Sequence, residues 1–203
     1  MDRLIYMDNA ATTPVHPEVY EAMKPYFSEV YSNPSAVYTF AGKAGRAVDE
    51  ARRIIASVIN AKPEEVYFTA GGSESDNWAI IGAAEGNCNK GKHIITTRIE
   101  HHAVLNTCKY LEKHGFEVTY LDVDKYGRVS PEDVALAIRP DTILISVMTA
   151  NNEIGSIQPI EEIGDIAGKH GVLFHTDAVQ AMGHIKIDVE KMNIDMLSAS
   201  AHK

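Results

Sequence analysis

Residues 142–177, TILISVMTANNEIGSIQPIEEIGDIAGKHGVLFHTD, decide the fold. A run rich in β-branched residues, Thr142–Val147, precedes an amphipathic stretch at Ile160–His170, and a second short apolar run, Val172–His175, follows it. Strands of four to six residues that alternate with helices of ten or more indicate βαβ units with parallel strands. Gly171 directly follows the helical stretch, where a left-handed glycine is typical of a helix C-terminus. The segment therefore predicts an α/β fold.

The same alternation extends along the rest of the chain. The clearest helical pattern is at 43–60, where spacings of three and four residues predict one buried stripe of Ala44, Val48, Ala51, Ile55 and Val58. Together these patterns predict a mainly parallel sheet flanked by helices. The further strands are predicted at 65–69, 93–97, 116–121 and 195–198, and the further helices at 75–85, 102–114 and 131–138.

The composition excludes several classes of protein. The chain of 203 residues has a formal net charge of −9, and a diffuse negative charge argues against a nucleic-acid-binding surface and a polybasic membrane anchor. No apolar run approaches the ~20 residues of a membrane-spanning helix, and no long apolar stretch follows Met1 as in a secretory signal. Cys88 and Cys108 match neither a disulfide framework nor a zinc site. We therefore expect a cytoplasmic protein with reduced thiols.

A turn rich in glycine and serine, Ala70-Gly-Gly-Ser-Glu-Ser-Asp-Asn77, follows the predicted strand at 65–69. Glycines let the backbone approach a ligand closely, and a helix N-terminus offers unpaired N–H groups to an anion. The turn has neither the P-loop nor the dinucleotide-binding pattern. It is interpreted either as a phosphate cradle or as a plain βα turn with a serine N-cap.

Polar residues also follow the other predicted strands, and ligands of parallel sheets collect at the carboxyl ends of the strands. His101, after the strand at 93–97, is either a helix cap or a flat ring that can stack on a planar cofactor. Asp177 either caps the next helix or holds a cationic heterocycle, because a nearby carboxylate raises the pKa of a ring nitrogen by about 1–3 units. Asn151–Glu153 and Ser198–Lys203 add amides and a lysine. Together these are the parts of a pyridoxal phosphate site.

Seven motifs span the whole chain: Tyr6–Thr13, Asn33–Ser35, Phe68–Ser75, Glu100-His101, Ala150–Gly155, His175–Gln180 and Ser200–Lys203. In this order they resemble the cysteine desulfurases of the nitrogen-fixation and iron–sulfur-assembly type, within the class V aminotransferase family of fold-type I pyridoxal phosphate enzymes. The resemblance implies the large domain of that fold, in part. Residues 1–15 would be an N-terminal arm that packs on a small domain, 16–203 the incomplete cofactor-binding domain, and the C-terminal small domain would lie outside this chain.

The resemblance also implies pyridoxal 5′-phosphate as cofactor, with a role for each matching residue. Lys203 would form the Schiff base and later move the Cα proton of the substrate. Asp177 would pair with the pyridinium nitrogen, and His101 would stack on the ring as a candidate acid–base group. The remaining cofactor-binding residues would be Gln180 at the phenolic oxygen, Asn152 near the substrate carboxylate, and Gly72, Ser73, Ser200 and His202 at the phosphate.

The implied reaction converts L-cysteine to L-alanine and leaves the sulfur as a persulfide on an enzyme cysteine. That sulfur would serve iron–sulfur cluster assembly or another thiolation, through a scaffold or thiolation protein, and the enzyme would be a homodimer. The family's persulfide cysteine lies beyond the lysine, and neither Cys88 nor Cys108 matches it.

Other interpretations of the sequence stay open. One is a selenocysteine lyase or another class V transaminase, and a second is a non-catalytic, truncated paralogue. The weakest is a metal enzyme built on His101, His102, His175 and Asp177, since no pair of these has the spacing of ligands on one helix face. We therefore predict no metal.

Overall fold

The computed structural model describes residues 5–203, which form two compact units. The first unit holds the residues up to Phe68 together with His202, and the second holds Thr69–Ala201 together with Lys203. Residues 5–16 form no helix or strand, and the first four residues of the predicted arm lie outside the described residues. Within 5–203, no helix has both the length and the apolar composition needed to cross a bilayer.

The first unit contains the helices α1 (Pro17–Ser28) and α2 (Ala41–Ile59) and a 3₁₀ helix at Pro63–Glu65. Helix α2 confirms the helix predicted at 43–60. The predicted stripe is confirmed only in part, because Ala44 is buried whereas Val48, Ala51 and Ile55 are half-buried. It differs most at its end, where Val58 is 55% exposed and Ile59 is buried instead. The reason is that the last turn of α2 packs against the 3₁₀ helix that follows it.

The strand predicted at 65–69 is wrong. Glu65 ends the 3₁₀ helix, and residues 66–69 run on without forming a strand. The Arg52 guanidinium donates a hydrogen bond to the Val66 carbonyl, and the side chains of Tyr67 and Phe68 are largely exposed. Aromatic and β-branched residues favour a strand only where a neighbouring sheet offers a surface to pack on. Among the described residues, no strand of the sheet pairs with this segment.

The second unit is a five-stranded parallel sheet flanked by helices, which confirms the predicted α/β fold. The strand order is β2-β1-β3-β4-β5, so the chain runs outward from β1 to β2 and then returns to the other side of β1. The strands are β1 (His93–Thr97), β2 (Glu117–Leu121), β3 (Thr142–Ser146), β4 (Leu173–Asp177) and β5 (Met196–Ser198). The helices are α3 (Gly72–Asn87), α4 (His102–Lys113), α5 (Pro131–Ala137) and α6 (Ile160–His170).

Successive residues of the central strands pack into two different cores. Ile94 of β1 belongs to the core formed with α3 and α4, and its neighbour Ile95 belongs to the core formed with α6. Both isoleucines are fully buried, because side chains alternate between the two faces of a strand. With both faces covered, the polar residues at the carboxyl ends of the strands are held on a rigid edge.

Candidate active site

The N-terminus of α3 lies against two other segments of the second unit. A Cβ added to Gly72 would lie 2.8 Å from Val179 Cγ2 and 3.8 Å from Ser200 Cβ, so this close approach requires a glycine. The helix begins three residues earlier than predicted, and its N-cap is Gly71 without a side-chain hydrogen bond, so the serine N-cap is wrong. Ser73 lies exposed in the first turn. This first turn offers backbone N–H groups to an anion.

Asp177 lies at the carboxyl end of β4 and is 5% exposed. Its Oδ1 accepts a hydrogen bond of 2.9 Å from the Val179 N–H, so it shapes the turn that touches Gly72. Burial raises the pKa of Asp177, while the Val179 N–H and the positive charges of His101 and Lys203 act in the opposite direction. The predicted helix cap is wrong, because turns rather than a helix follow β4; the carboxylate instead holds the first of these turns and faces cationic groups.

His101 is the N-cap of α4, where its Nδ1 accepts a hydrogen bond of 3.2 Å from the Ala103 N–H. The capping role is therefore confirmed, and it leaves Nε2 as the ring nitrogen that is not used by the cap. The ring is exposed, and one of its nitrogens lies within 4.8 Å of carboxylate oxygens of Asp76 and Asp177. These three side chains form one cluster, which differs from the four residues considered for a metal enzyme and places two carboxyl groups beside one ring.

Glu100 belongs to the Glu100-His101 motif but is not among the predicted site residues, and it is a buried carboxyl group. It is 4% exposed, its Oε1 accepts a hydrogen bond of 2.7 Å from the Thr97 hydroxyl, and the Met148 N–H lies 3.0 and 3.1 Å from its two oxygens. Burial raises the pKa of Glu100 to about 8. Asn151 Nδ2 also donates a hydrogen bond of 3.0 Å to the Ile99 carbonyl. The hydrogen bonds from Met148 and Asn151 therefore hold the segment before His101 against the residues that follow β3. The signal in the sequence is a glutamate that directly precedes a candidate site histidine.

Asp76 is a second buried carboxyl group, one turn after Gly72 on α3. Burial and the negative charge of Asp177 raise the pKa of Asp76 to about 7, against the opposing effect of a hydrogen bond from Ser198. In the sequence, this residue belongs to the turn rich in glycine and serine, and no role is predicted for it. Its spacing of four from Gly72, which places both residues on one helix face, is the signal that could have identified it.

His175 is fully buried in the sheet beside these carboxyl groups. Its Nδ1 lies 2.9 Å from Ser146 Oγ and its Nε2 lies 3.0 Å from Ser198 Oγ. Burial lowers the pKa of His175 to about 4, so the ring is neutral at physiological pH. Because both of its ring nitrogens also have hydroxyl partners, His175 has a structural role between β3 and β5.

The other candidate residues lie in the turns and irregular segments that follow the strands. Asn152 and Gln180 are half-buried in the turns after β3 and β4. His202 belongs to the first unit, where its Nδ1 lies 3.1 Å from Thr12 Oγ1 and its carbonyl accepts a hydrogen bond of 3.0 Å from the Thr13 N–H. The structure thus joins Gly72 and Ser200 to the turn held by Asp177, and places His101 and Lys203 toward that carboxylate.

Comparisons with known proteins agree with this geometry. The model of the aminotransferase class-V family matches residues 5–203. The cysteine desulfurase IscS of Methanosarcina thermophila is 60% identical over 202 residues, which are 100% of this chain and 50% of that protein. The IscS of Clostridium botulinum strain Hall is 57% identical over 203 residues, again 100% of this chain and 51% of that protein. The chain therefore spans about half the length of the curated relatives it matches.

Solved structures show the same similarity. "SspA in complex with cysteine" superposes with a TM-score of 0.94 at 50% identity, over 97% of this chain and 57% of that one. A NifS-like protein also superposes with a TM-score of 0.94, at 42% identity, over 98% of this chain and 55% of that one. The likeness covers both compact units.

Proposed function

Because the chain belongs to the class V aminotransferase family, we propose that it forms the cofactor-binding part of a cysteine desulfurase. The cofactor of this family is pyridoxal 5′-phosphate. The observation that carries the proposal is that Asp177, at the end of β4, faces both His101 and Lys203 and also holds the turn that touches Gly72. An anion cradle, a ring, a carboxylate and an amine thus belong to one edge of the sheet.

The residues present suit pyridoxal phosphate. The first turn of α3 suits its phosphate, since the absence of a Cβ at Gly72 lets the backbone pack closely there. The buried Asp177 carboxylate suits a cationic ring nitrogen, and the exposed His101 ring suits a stacking position. Lys203 supplies the amine that would hold the cofactor covalently. The roles of Ser73, Asn152, Gln180, Ser200 and His202 given above remain proposals.

When bound, the cofactor withdraws electrons from the substrate Cα and so stabilises negative charge there. The chain's own groups would hold and move the protons. Lys203 Nζ would carry the proton to and from Cα. His101 Nδ1 already accepts the Ala103 N–H, so Nε2 is the nitrogen that can exchange a proton with substrate. The ionised Asp177 would keep the ring nitrogen cationic.

The proposed substrate is L-cysteine, which accords with the cysteine complex of the similar SspA. Its C–S bond would break, the sulfur would form a persulfide on an enzyme thiol, and Cβ would take up a proton to give L-alanine. We infer that the thiol is neither cysteine of this chain. Cys108 is fully buried, which raises its pKa to about 12, and Cys88 lies at the end of α3 opposite to Gly72.

The wider assignments are part of the same proposal. The names of the relatives support a role in sulfur supply, so we propose a sulfur-accepting scaffold or thiolation protein as partner and iron–sulfur cluster assembly as a destination of the sulfur. We further propose a cytoplasmic homodimer, with the arm at 1–15, the cofactor-binding domain at 16–203 and a small domain outside this chain.

Borohydride reduction of the intact protein loaded with pyridoxal phosphate, followed by peptide mapping, tests the proposal. We expect a phosphopyridoxyl adduct on Lys203 of the wild type and no adduct in the Lys203→Ala variant. The control variant Lys113→Ala removes another lysine and should carry the adduct on Lys203 as in the wild type. The protein should also release alanine from L-cysteine. A protein that takes up no cofactor, or carries it on another lysine, would contradict the proposal. Comparison of cysteine with selenocysteine as substrate separates a desulfurase from a selenocysteine lyase.

A further inference from the structure

Asp76 combines burial with an unpaired oxygen. The residue is 1% exposed, and its Oδ1 has no hydrogen-bond partner among the described residues. The nearest basic atom is Nε2 of His175, at 3.7 Å, which is too long for a hydrogen bond. A buried carboxylate oxygen without a hydrogen-bond partner is destabilising, even where the Ser198 hydroxyl bonds to the same carboxyl group. The burial of Asp76 therefore lowers the stability of the folded protein, and none of the roles proposed above requires it.

The groups around Asp76 contain little positive charge. From β4 it is faced by Asp177 and by His175, which is neutral, and from β5 by the Ser198 hydroxyl. From the start of α4 it is faced by the His101 ring, which lies with Asp177 in the 4.8 Å cluster. The buried Glu100 acts on it as a further acid. Asp76 and Asp177 thus form a pair of buried carboxyl groups beside one exposed ring.

We propose that Asp76 is a positioning residue of the cofactor site. It lies beside Asp177 as a second buried carboxyl group, and its ionisation strengthens the binding of a cationic ring. The inference rests on the proposed function, since the ring is that of pyridoxal phosphate. Asp177 makes the direct pair with the ring nitrogen, and Asp76 acts through the charge of that pair.

The direction of the effect follows from electrostatics. Two neighbouring carboxylates repel each other, so the pair retains a proton in the absence of a cation. A cationic ring attracts both carboxylates and therefore favours the ionised form of Asp76. Because such coupling is reciprocal, the ionised form of Asp76 binds the cationic ring more tightly, and by the same factor. Since the pKa of Asp76 is raised to about 7, this gain appears as the pH rises through neutrality. A pKa effect of about one unit corresponds to about a tenfold change in affinity.

The test compares the affinity of the intact apoprotein for pyridoxal phosphate in the wild type and in Asp76→Asn between pH 6 and pH 8.5. Asparagine has the same shape but cannot ionise. The readout is the ratio of the two dissociation constants at each pH, because the cofactor's own titrations affect both proteins alike. Glu85→Gln, which removes an exposed charge from the same helix, is the matched control.

We expect a ratio of variant to wild type near one at pH 6 and about ten at pH 8.5, with no change for the control. A ratio that does not vary with pH overturns the inference. Ser198→Ala serves as a second variant if Asp76→Asn does not fold. The Ser198 hydroxyl lowers the pKa of Asp76, so its loss should move the pH midpoint of cofactor binding upward, and an unmoved midpoint also overturns the inference. A wild type that binds no cofactor at any pH instead refutes the proposed function.

Discussion

The Cβ that Gly72 lacks would lie 2.8 Å from Cγ2 of Val179, closer than side chains pack in proteins. The Val179 N–H also donates a hydrogen bond to the Asp177 carboxylate. The contact between Gly72 and Val179 therefore joins the first turn of α3 to the turn after β4. The proposed phosphate cradle and the carboxylate proposed to pair with the ring nitrogen are therefore joined through Val179.

Gly72→Ala should separate these two parts. Overpacking of this kind costs about 1–3 kcal/mol, so we expect the affinity for pyridoxal phosphate, measured by titration of the apoprotein, to fall about tenfold to a hundredfold. Gly82→Ala is the control, because an added Cβ there meets no atom within 4 Å and alanine favours the helix. The double variant Gly72→Ala/Val179→Ala should regain affinity. Normal binding by Gly72→Ala would show that the close approach is dispensable.

Asp177→Asn should lower activity without lowering stability. Asparagine keeps an oxygen for the Val179 N–H but cannot stabilise a cationic ring nitrogen, so we expect turnover of cysteine to fall about tenfold to a thousandfold. Burial raises the pKa of the carboxyl group, so its replacement removes a destabilising charge, and the Tm of the apoprotein should be equal or higher. A parallel loss of Tm and activity would instead assign Asp177 a structural role.

Glu100 should make the stability depend on pH. Its pKa is raised from 4.5 to about 8 in the folded protein, so between these values the folded state holds a proton that the unfolded state has lost. The contribution of this proton to the free energy of unfolding is therefore fully present below pH 4.5 and is lost as the pH rises toward 8. The denaturation midpoint of the wild type should fall relative to that of Glu100→Gln over this range, in urea titrations at several pH values. A constant difference between the two would contradict the prediction.

Neither cysteine of the chain should be needed for sulfur transfer. Cys88→Ala should leave the persulfide yield of the intact protein unchanged, because the residue is exposed at the far end of α3. Cys108→Ala should retain the yield per folded molecule but lower stability by about 1–2 kcal/mol, since the thiol is packed in a core. Mass spectrometry after incubation with cysteine locates the persulfide. A persulfide on Cys88 would refute the inference.

Most of the sheet could be predicted from local pattern, because its strands are buried on both faces. The runs around Ile94, Ile145 and Phe174 read as continuous apolar segments, and Gly115 and Gly171 have the positive φ expected after a helix. The segment at 65–69 has the same composition without a paired neighbour. Strand formation there depends on a partner, which local composition does not reveal.

The site was predictable where a residue lies at the end of a strand, as Asp177 does, or a few residues beyond it, as His101 does. Asp76 was missed because it lies inside a helix, where a carboxylate ordinarily faces solvent. Its burial results from the packing of α3 on β4 and β5, a long-range contact. The close approach of Gly72 to Val179 is likewise a tertiary feature, since the residues are distant in the chain.

The buried row of Ser146, His175 and Ser198 also selects the alignment of β3, β4 and β5. All three side chains are fully buried, and each ring nitrogen of His175 has one hydroxyl partner on a neighbouring strand. A slip of β3 by one residue would place Ile145 or Val147 opposite the imidazole and leave one of its nitrogens unpaired in an apolar interior. Misaligned sheets are thereby disfavoured during folding, so the residues that follow these parallel strands emerge on one edge.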